Sequence, residues 1–330
     1  MAYTADISRT GGAPAPLARS FGWGMLGFLA AFLINNILNI GWGVPNLADV
    51  FSGTSGADIW MPLLICLLGV GAGVGYVLRT PEQSLRWDAM TVHGFNAYLI
   101  RACFWIVLLT GFVDAGIAVA RVEGLFNAFL SEDMVVNIGR SQFLGPNVHV
   151  PLMILGALIA VWHRGLAFHW LALLIVGAEL AIVISRFVFS YEQAMMGDLV
   201  RYWYAALFLF ASAYTLFDDG HVRVDVFYAG FGRTKKGFVN AFGSIFLGMA
   251  SMWVIIWIGL GSKTSIINSP VMNFEITQSG PTGMYIKYQM AAFLGIFAIT
   301  MLIQFVSYFF ESVADKRDEP GHRTVTPTGH

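Results

Sequence analysis

The chain has 330 residues, 57% of them hydrophobic and 12% charged, and a formal net charge of −1. So apolar a composition falls outside the range of soluble domains and reads as an integral membrane protein. With basic residues spread along the chain and the charge near zero, nothing points to a nucleic acid or an acidic substrate as partner.

A spanning helix needs about 20 mostly apolar residues, and eight runs of that kind follow one another along the chain. Residues 1–19 read as a polar tail and 20–42 as an uncleaved first span, since no small-residue cleavage site closes the run. Next come 59–78, and 96–120 with Arg101 and Asp114 inside it. The run 147–162 is short and carries Pro151 in its first turn, where the missing N–H is harmless. It is followed by 165–187 with Glu179 and Arg186, by 199–217 with Asp198 and Arg201 at its rim, and by the charge-free runs 238–260 and 288–310. From Glu311 the chain is polar and proline-containing and is expected to be loose after a turn or so. Cys66 and Cys103 lie in apolar runs without metal-ligand spacing and are read as small core residues.

Short cytoplasmic loops are enriched in Lys and Arg. With eight spans and the N-terminus inside, the inner loops hold Arg9, Arg19, Arg79, Arg86, Arg164, Arg223, Arg233, Lys235, Lys236, Lys316, Arg317 and Arg323, and the outer loops only Arg121, Arg140, Arg186 and Lys263. The expectation is an all-α integral membrane protein of about eight transmembrane helices with both termini cytoplasmic. The charged stretch "DDGHVRVD", 218–225, then falls on the cytoplasmic side. The outer loops 121–146 and 261–282 are long enough to carry contacts.

Each constellation has a plain reading. Gly69, Gly71, Gly73 and Gly75 form GxxxG faces for close helix packing. His149 and His163, fourteen residues apart, could ligate two haems, but the other histidines that could pair with them, His93, His169 and His221, all lie on the inner side, so they read as interfacial histidines. Charge inside a bilayer is costly and faces a partner, so Asp114, Glu179 and Arg186 are read as structural ion pairs to a neighbouring helix or subunit. No pair of helices is broken at mid-membrane in corresponding places, the mark of a transporter's substrate site. No GxSxG, HExxH or Walker-type pattern occurs, so no catalytic, cofactor or metal residues are assigned and an enzyme is not expected. A haem b membrane anchor of a respiratory enzyme and a stand-alone transporter with Asp114 and Glu179 as coupling acids are the alternative readings.

Residues 165–312 carry, in order, Arg186 followed by "FVFS", "DLVRYWYAALFLFASAYTLF", "GHVRVDVFYAGFGR" and "EITQSGPTGMYIKYQM". In order, spacing and length between blocks this half resembles the small membrane (Q) subunit of tripartite ATP-independent periplasmic (TRAP) transporters. Met195 and Gly197 depart from the family's Trp and acid before the second core helix, whereas Asp198 keeps an acid. The resemblance implies a four-helix core at 164–312, a four-helix N-terminal extension at 20–163 and a flexible cytoplasmic tail at 313–330. It implies a scaffold role in sodium- or proton-driven uptake of an organic acid or related solute across the bacterial inner membrane. The implied partners are a large permease subunit, a periplasmic solute-binding protein and membrane lipids. Gly220, His221, Arg223 and Asp225 of the inner turn, with Glu179, Arg186, Asp198, Arg201 and Pro281, are the residues expected to organise the structure or meet a partner subunit.

Overall fold

The computed structural model describes residues 9–10, 12–52, 60–165, 168–218, 226–277 and 279–322. All named elements are helices: α1 Pro16–Trp42, α2 Leu47–Ser52, α3 Trp60–Arg79, α4 Leu85–Val122, α5 Glu132–Ile138, α6 Ser141–Trp162, α7 Phe168–Phe189, α8 Ala194–Phe217, α9 Arg233–Leu260, α10 Asn268–Met272 and α11 Lys287–Lys316. Seven of them, α1, α3, α4, α6, α7, α9 and α11, are long and apolar enough to cross a membrane, and they coincide with seven of the eight runs expected. The eighth run lies in α8, a 24-residue helix. Its mean hydropathy is lowered by Arg201, Tyr202, Trp203, Tyr204 and Tyr214, and it is not among the seven.

Boundaries follow local chemistry. Pro16 opens α1, where its missing N–H leaves no bond unmade, and Gly43 closes it with φ 72°, a left-handed turn that glycine adopts at little cost. The turn beyond is held by asparagines of the helix itself. Asn35 Nδ2 donates to Pro45 O at 3.0 Å, Asn35 Oδ1 accepts from Leu47 N at 2.9 Å, and Asn39 Nδ2 donates to Val44 O at 2.7 Å.

Helix α6 begins six residues before the expected start at 147 and passes through a wider, π-type turn at Gly145–His149. Pro151 therefore lies inside the helix instead of at its first turn. A proline ring clashes with the carbonyl four residues back, that of Asn147, and a widened turn there accommodates the clash. Its 22 residues make a full-length candidate span. Helix α4, at 38 residues, rises about 57 Å. That exceeds a hydrocarbon core of about 30 Å, so the 96–120 run is only part of it.

The chain divides into two compact units. The first comprises residues up to Asn96, Ala213–Ser265 and Ala298 onward; the second comprises Ala97–Ser212 and Ile266–Phe297. In the first unit α1 and α3 meet backbone to backbone. A Cβ added at Gly27 would overlap Gly69 O, one at Gly69 would overlap Gly27 O, and one at Gly73 would overlap Trp23 O, whereas Gly71 and Gly75 face open space. The packing face is therefore the Gly69–Gly73 pair alone, one of the two GxxxG faces in the pattern. Gly69→Ala is expected to lower the thermal midpoint in detergent, because backbone must move to admit the methyl group, a change that typically costs about 1–3 kcal/mol. Gly71→Ala on the open side is expected to be neutral or to stabilise by up to about 1 kcal/mol, from helix propensity. Equal midpoints for the two variants would contradict this packing.

In the same unit Ser307 Oγ donates to Ala89 O at 2.7 Å and Asn96 Nδ2 to Thr300 O at 2.9 Å, which ties α4 to α11 by side-chain bonds. In the second unit Gly156 of α6 lies against the Ile106 backbone of α4, and Gly111 of α4 receives the Trp203 indole of α8. Tyr98 OH donates to Ala157 O at 3.3 Å.

In the described part of the tail, up to residue 322, helix continues past residue 313, where a loose tail was expected. Helix α11 runs to Lys316, and Glu319 beyond it is buried. The reason is that three arginines, described next, take their acceptors from this segment.

Candidate functional site

Ionisable groups of the first unit form two cross-linking networks. Arg19, buried in α1, donates from Nε to Asp88 Oδ2 at 2.6 Å and to both the carbonyl and the hydroxyl of Thr80. Asp88 accepts in addition from Gln83 Nε2 at 2.9 Å, and Gln83 accepts from Tyr76 OH at 3.2 Å. Arg86 donates to Asp315 Oδ1 at 2.8 Å and to the carbonyls of Pro320 at 2.6 Å and Glu319 at 3.0 Å. Arg233 pairs with Asp318 at 3.0 Å and Asp315 at 3.5 Å. Arg317 pairs with Glu319 at 3.0 Å and donates to Ala13 O at 2.9 Å. Burial pushes the Glu319 carboxyl above the usual carboxylate range, against the pull of Arg317 and Arg86.

Four of the arginines counted as inner-loop charges thus act as cross-links. A guanidinium carries five donors in a planar fork and can tie several carbonyls and a carboxylate at once. Arg233, counted among the inner-loop charges, is turned onto the end of α11. Lys236 lies 5.2 Å over the Tyr228 ring and Lys316 5.3 Å over Phe238, while Phe227 and Phe238 are exposed.

The second unit holds a buried polar chain. Asp114 and His149 have no exposed surface. His149 Nε2 lies 3.1 Å from Asp114 Oδ1, and Asp114 Oδ2 accepts from the backbone N–H of Tyr285 at 2.8 Å. His149 Nδ1 is 2.8 Å from Tyr288 OH, that hydroxyl accepts from Gln289 Nε2 at 3.1 Å, and Gln289 Oε1 accepts from Tyr202 OH. With Nε2–H donating to the carboxylate and the Tyr288 hydroxyl donating to Nδ1, every group named has its partner. Tyr285 OH donates to Gly139 O at 2.8 Å and brings the 139–140 turn into the same assembly. Beside Tyr288 and Gln289 lies a cavity of about 490 Å³, otherwise apolar, with Cys103, Val107, Met153 and Phe293 in its wall.

A second anchor closes the same unit. Asp198 Oδ2 accepts from Thr277 Oγ1 and from Met284 N, both at 3.1 Å. Arg121 donates to the carbonyls of Pro281 at 2.8 Å and Gly283 at 2.5 Å and lies 4.0 Å over the Tyr285 ring. The two segments expected as long outer loops are thus built from short helices and held by one acid and one arginine.

The residues singled out from sequence fare differently. Asp198 is buried and engaged, and Pro281 takes part through its carbonyl. Arg201 lies 3.7 Å from Asp198 with its side chain largely in the open, and Arg186 pairs at 3.3 Å with Glu192 on the surface. Glu179 is exposed on α7. Gly220, His221, Arg223 and Asp225 lie outside the described residues, as does all of "DDGHVRVD" beyond Asp218. His149, read as interfacial, is a buried member of the polar chain with both ring nitrogens engaged, so neither faces a haem iron. The joining of Asp114 to His149, and the roles of Asp88, Tyr285, Tyr288 and Gln289, had no signal in spacing. Their partners are 35 to 171 residues away, apart from the Gln83–Asp88 and Tyr288–Gln289 contacts.

Among the described residues no cluster of three or more metal-ligating side chains occurs. The arrangement joins helices through hydrogen bonds and ion pairs among side chains and backbone. Residues 175–314 match the family model described as "Tripartite ATP-independent periplasmic transporters, DctQ component". No curated protein and no solved structure matches the chain.

Proposed function

We infer that the chain, whose residues 175–314 form the DctQ domain of a TRAP transporter, is the scaffold-type small membrane subunit of a secondary uptake system. The matched component is a transporter part and not an enzyme. In this reading a periplasmic solute-binding protein delivers an organic acid or related solute. A large permease subunit then carries it, driven by an ion gradient, and the present chain holds the permease fixed in the inner membrane.

The observation that carries the reading beyond the family is the engagement of the three buried aspartates. Asp88 and Asp198 each take two side-chain or backbone donors, and Asp114 is closed by His149 and Tyr285. A group already holding its partners in one unit stiffens that unit, which is what a stationary subunit requires.

Helix α8 serves as the eighth span, both termini are cytoplasmic, and the stretch 218–225 is an inner turn that orients α8 and α9 for the permease. The DctQ core at 164–312 is preceded by a membrane extension at 20–163. The direct test is capture from native membranes: a tagged copy is expected to bring down a large permease subunit, and a copy that reproducibly brings down none defeats the assignment.

A further inference from the structure

Helix α7 stands apart from the other six candidate spans. Only 6% of its apolar window is buried within the chain, against 22–50% for the others. Its exposed apolar side chains include Trp170, Ile184, Val188 and Phe189, and among the rest one row is regular. Leu173, Val176, Leu180, Val183 and Phe187, each about half exposed or more, recur at intervals of three, four, three and four residues. That is the repeat of a helix seam made to interlock with another helix. Taking Leu173, Leu180 and Phe187 as a positions and Val176 and Val183 as d positions, Glu179 and Arg186 both fall at g, on the flank where charges select a partner. Gly177 falls at e, the opposite flank, with open space where a Cβ would stand, so a second helix can approach closely there.

Glu179 is the decisive residue. It is the twelfth of the 22 residues that start at Phe168, hence at mid-span, and it is exposed. A carboxyl at that depth is costly in lipid and faces a partner or a polar surface. A second copy of this chain does not supply one. Copies of one chain insert in the same sense, so two α7 seams would pack in parallel, and a g residue then meets the following e residue of the other helix. For Glu179 that residue is Ile184, which offers no donor.

We propose that the α7 seam is the docking face for a transmembrane helix of the large permease subunit, and that this helix presents a hydrogen-bond donor or cation to Glu179 at mid-bilayer depth. The proposal rests on the small-subunit assignment and adds to it a face, a register and a central polar contact. It also accounts for an acid retained in an otherwise apolar stretch.

The test co-expresses a tagged copy with the large permease subunit, extracts both from membranes and measures the permease recovered per tagged chain. Glu179→Leu and Glu179→Lys are expected to lower recovery at least about tenfold. Glu179→Gln keeps an acceptor oxygen and is expected to hold it within about threefold of the parent. The thermal midpoint of the small subunit alone should not fall in any of them, because Glu179 makes no hydrogen bond or ion pair among the described residues, and this separates lost docking from lost folding. Recovery unchanged by both Leu and Lys would overturn the docking face while leaving the small-subunit assignment intact. Failure of the parent chain to recover permease would defeat both. Disulfide formation between two copies of Leu180→Cys, at parent-like permease recovery, would show a second copy on the seam and overturn the choice of partner.

Discussion

Asp114→Ala is expected to lower the thermal midpoint of the chain in detergent by roughly 4–12 °C, taking about 2 °C per kcal/mol for a chain of this size. The reasoning runs through the donors it strands. Asp114 accepts from His149 Nε2 at 3.1 Å and from Tyr285 N at 2.8 Å, and both donors are buried. An orphaned buried donor costs about 1–3 kcal/mol, so the loss is about 2–6 kcal/mol. The lower part of that range is favoured, because hydrogen bonds between membrane helices average about 0.6 kcal/mol, the unfolded chain in lipid finding partners too.

Asp114→Asn is the informative companion. Its amide oxygen can serve one donor, while its NH2 then faces the other, so its loss should lie between zero and that of alanine. His149→Ala combined with Asp114→Ala should cost less than the sum of the single changes, since each strands the other's partner. Midpoints within about 1 °C of the parent for both Asp114 variants would remove the polar chain as a source of rigidity, and with it the main structural argument for a fixed support.

What could be read from the sequence follows from which forces are local. Crossing a bilayer is decided segment by segment, so the runs that became α1, α3, α4, α6, α7, α9 and α11 were visible from their apolar length. The aromatic and charged residues of α8 give it a weaker signal, and its run at 199–217 was read from its apolar length with Asp198 and Arg201 at the rim. The Gly69–Gly73 repeat announced a close approach, but whether Gly71 shared it depends on the side from which α1 arrives.

The polar groups were the least legible. Asp114 and His149 each stood out as unusual, and nothing local shows that they meet each other and Tyr288. Arg19 looked like one more inner-loop charge, since its partner Asp88 is 69 positions away. The same distance effect explains the tail: "ADKRDEP" is polar in isolation, yet Arg86 and Arg233 reach it from 229 and 82 residues before Asp315. Glu179 is the converse. Sequence alone could not separate a partner helix from a partner subunit, and the structure shows Glu179 exposed on α7.

The Arg19–Asp88 pair offers the sharpest contrast between removing one charge and removing both. Both side chains are almost wholly buried and lie 2.6 Å apart. Removing one member of a buried pair leaves the other desolvated and unpaired, at a cost of about 3–5 kcal/mol, whereas replacing both by apolar groups of similar volume is often neutral. Asp88→Leu is therefore expected to strand Arg19, which keeps only its bonds to Thr80. Arg19→Met strands a carboxylate that keeps its bond from Gln83.

Each single variant should be strongly depleted in membranes and melt early. The combination Arg19→Met with Asp88→Leu should recover more than half of the lost stability, though not all, because Gln83 Nε2 and the Thr80 carbonyl lose their partners. Measured as midpoints in detergent, with recovery from membranes alongside, additive losses in the double variant would mean that the two residues act independently. In that case the network joining α1, the 80–84 turn and α4 would not be the cross-link that its geometry describes.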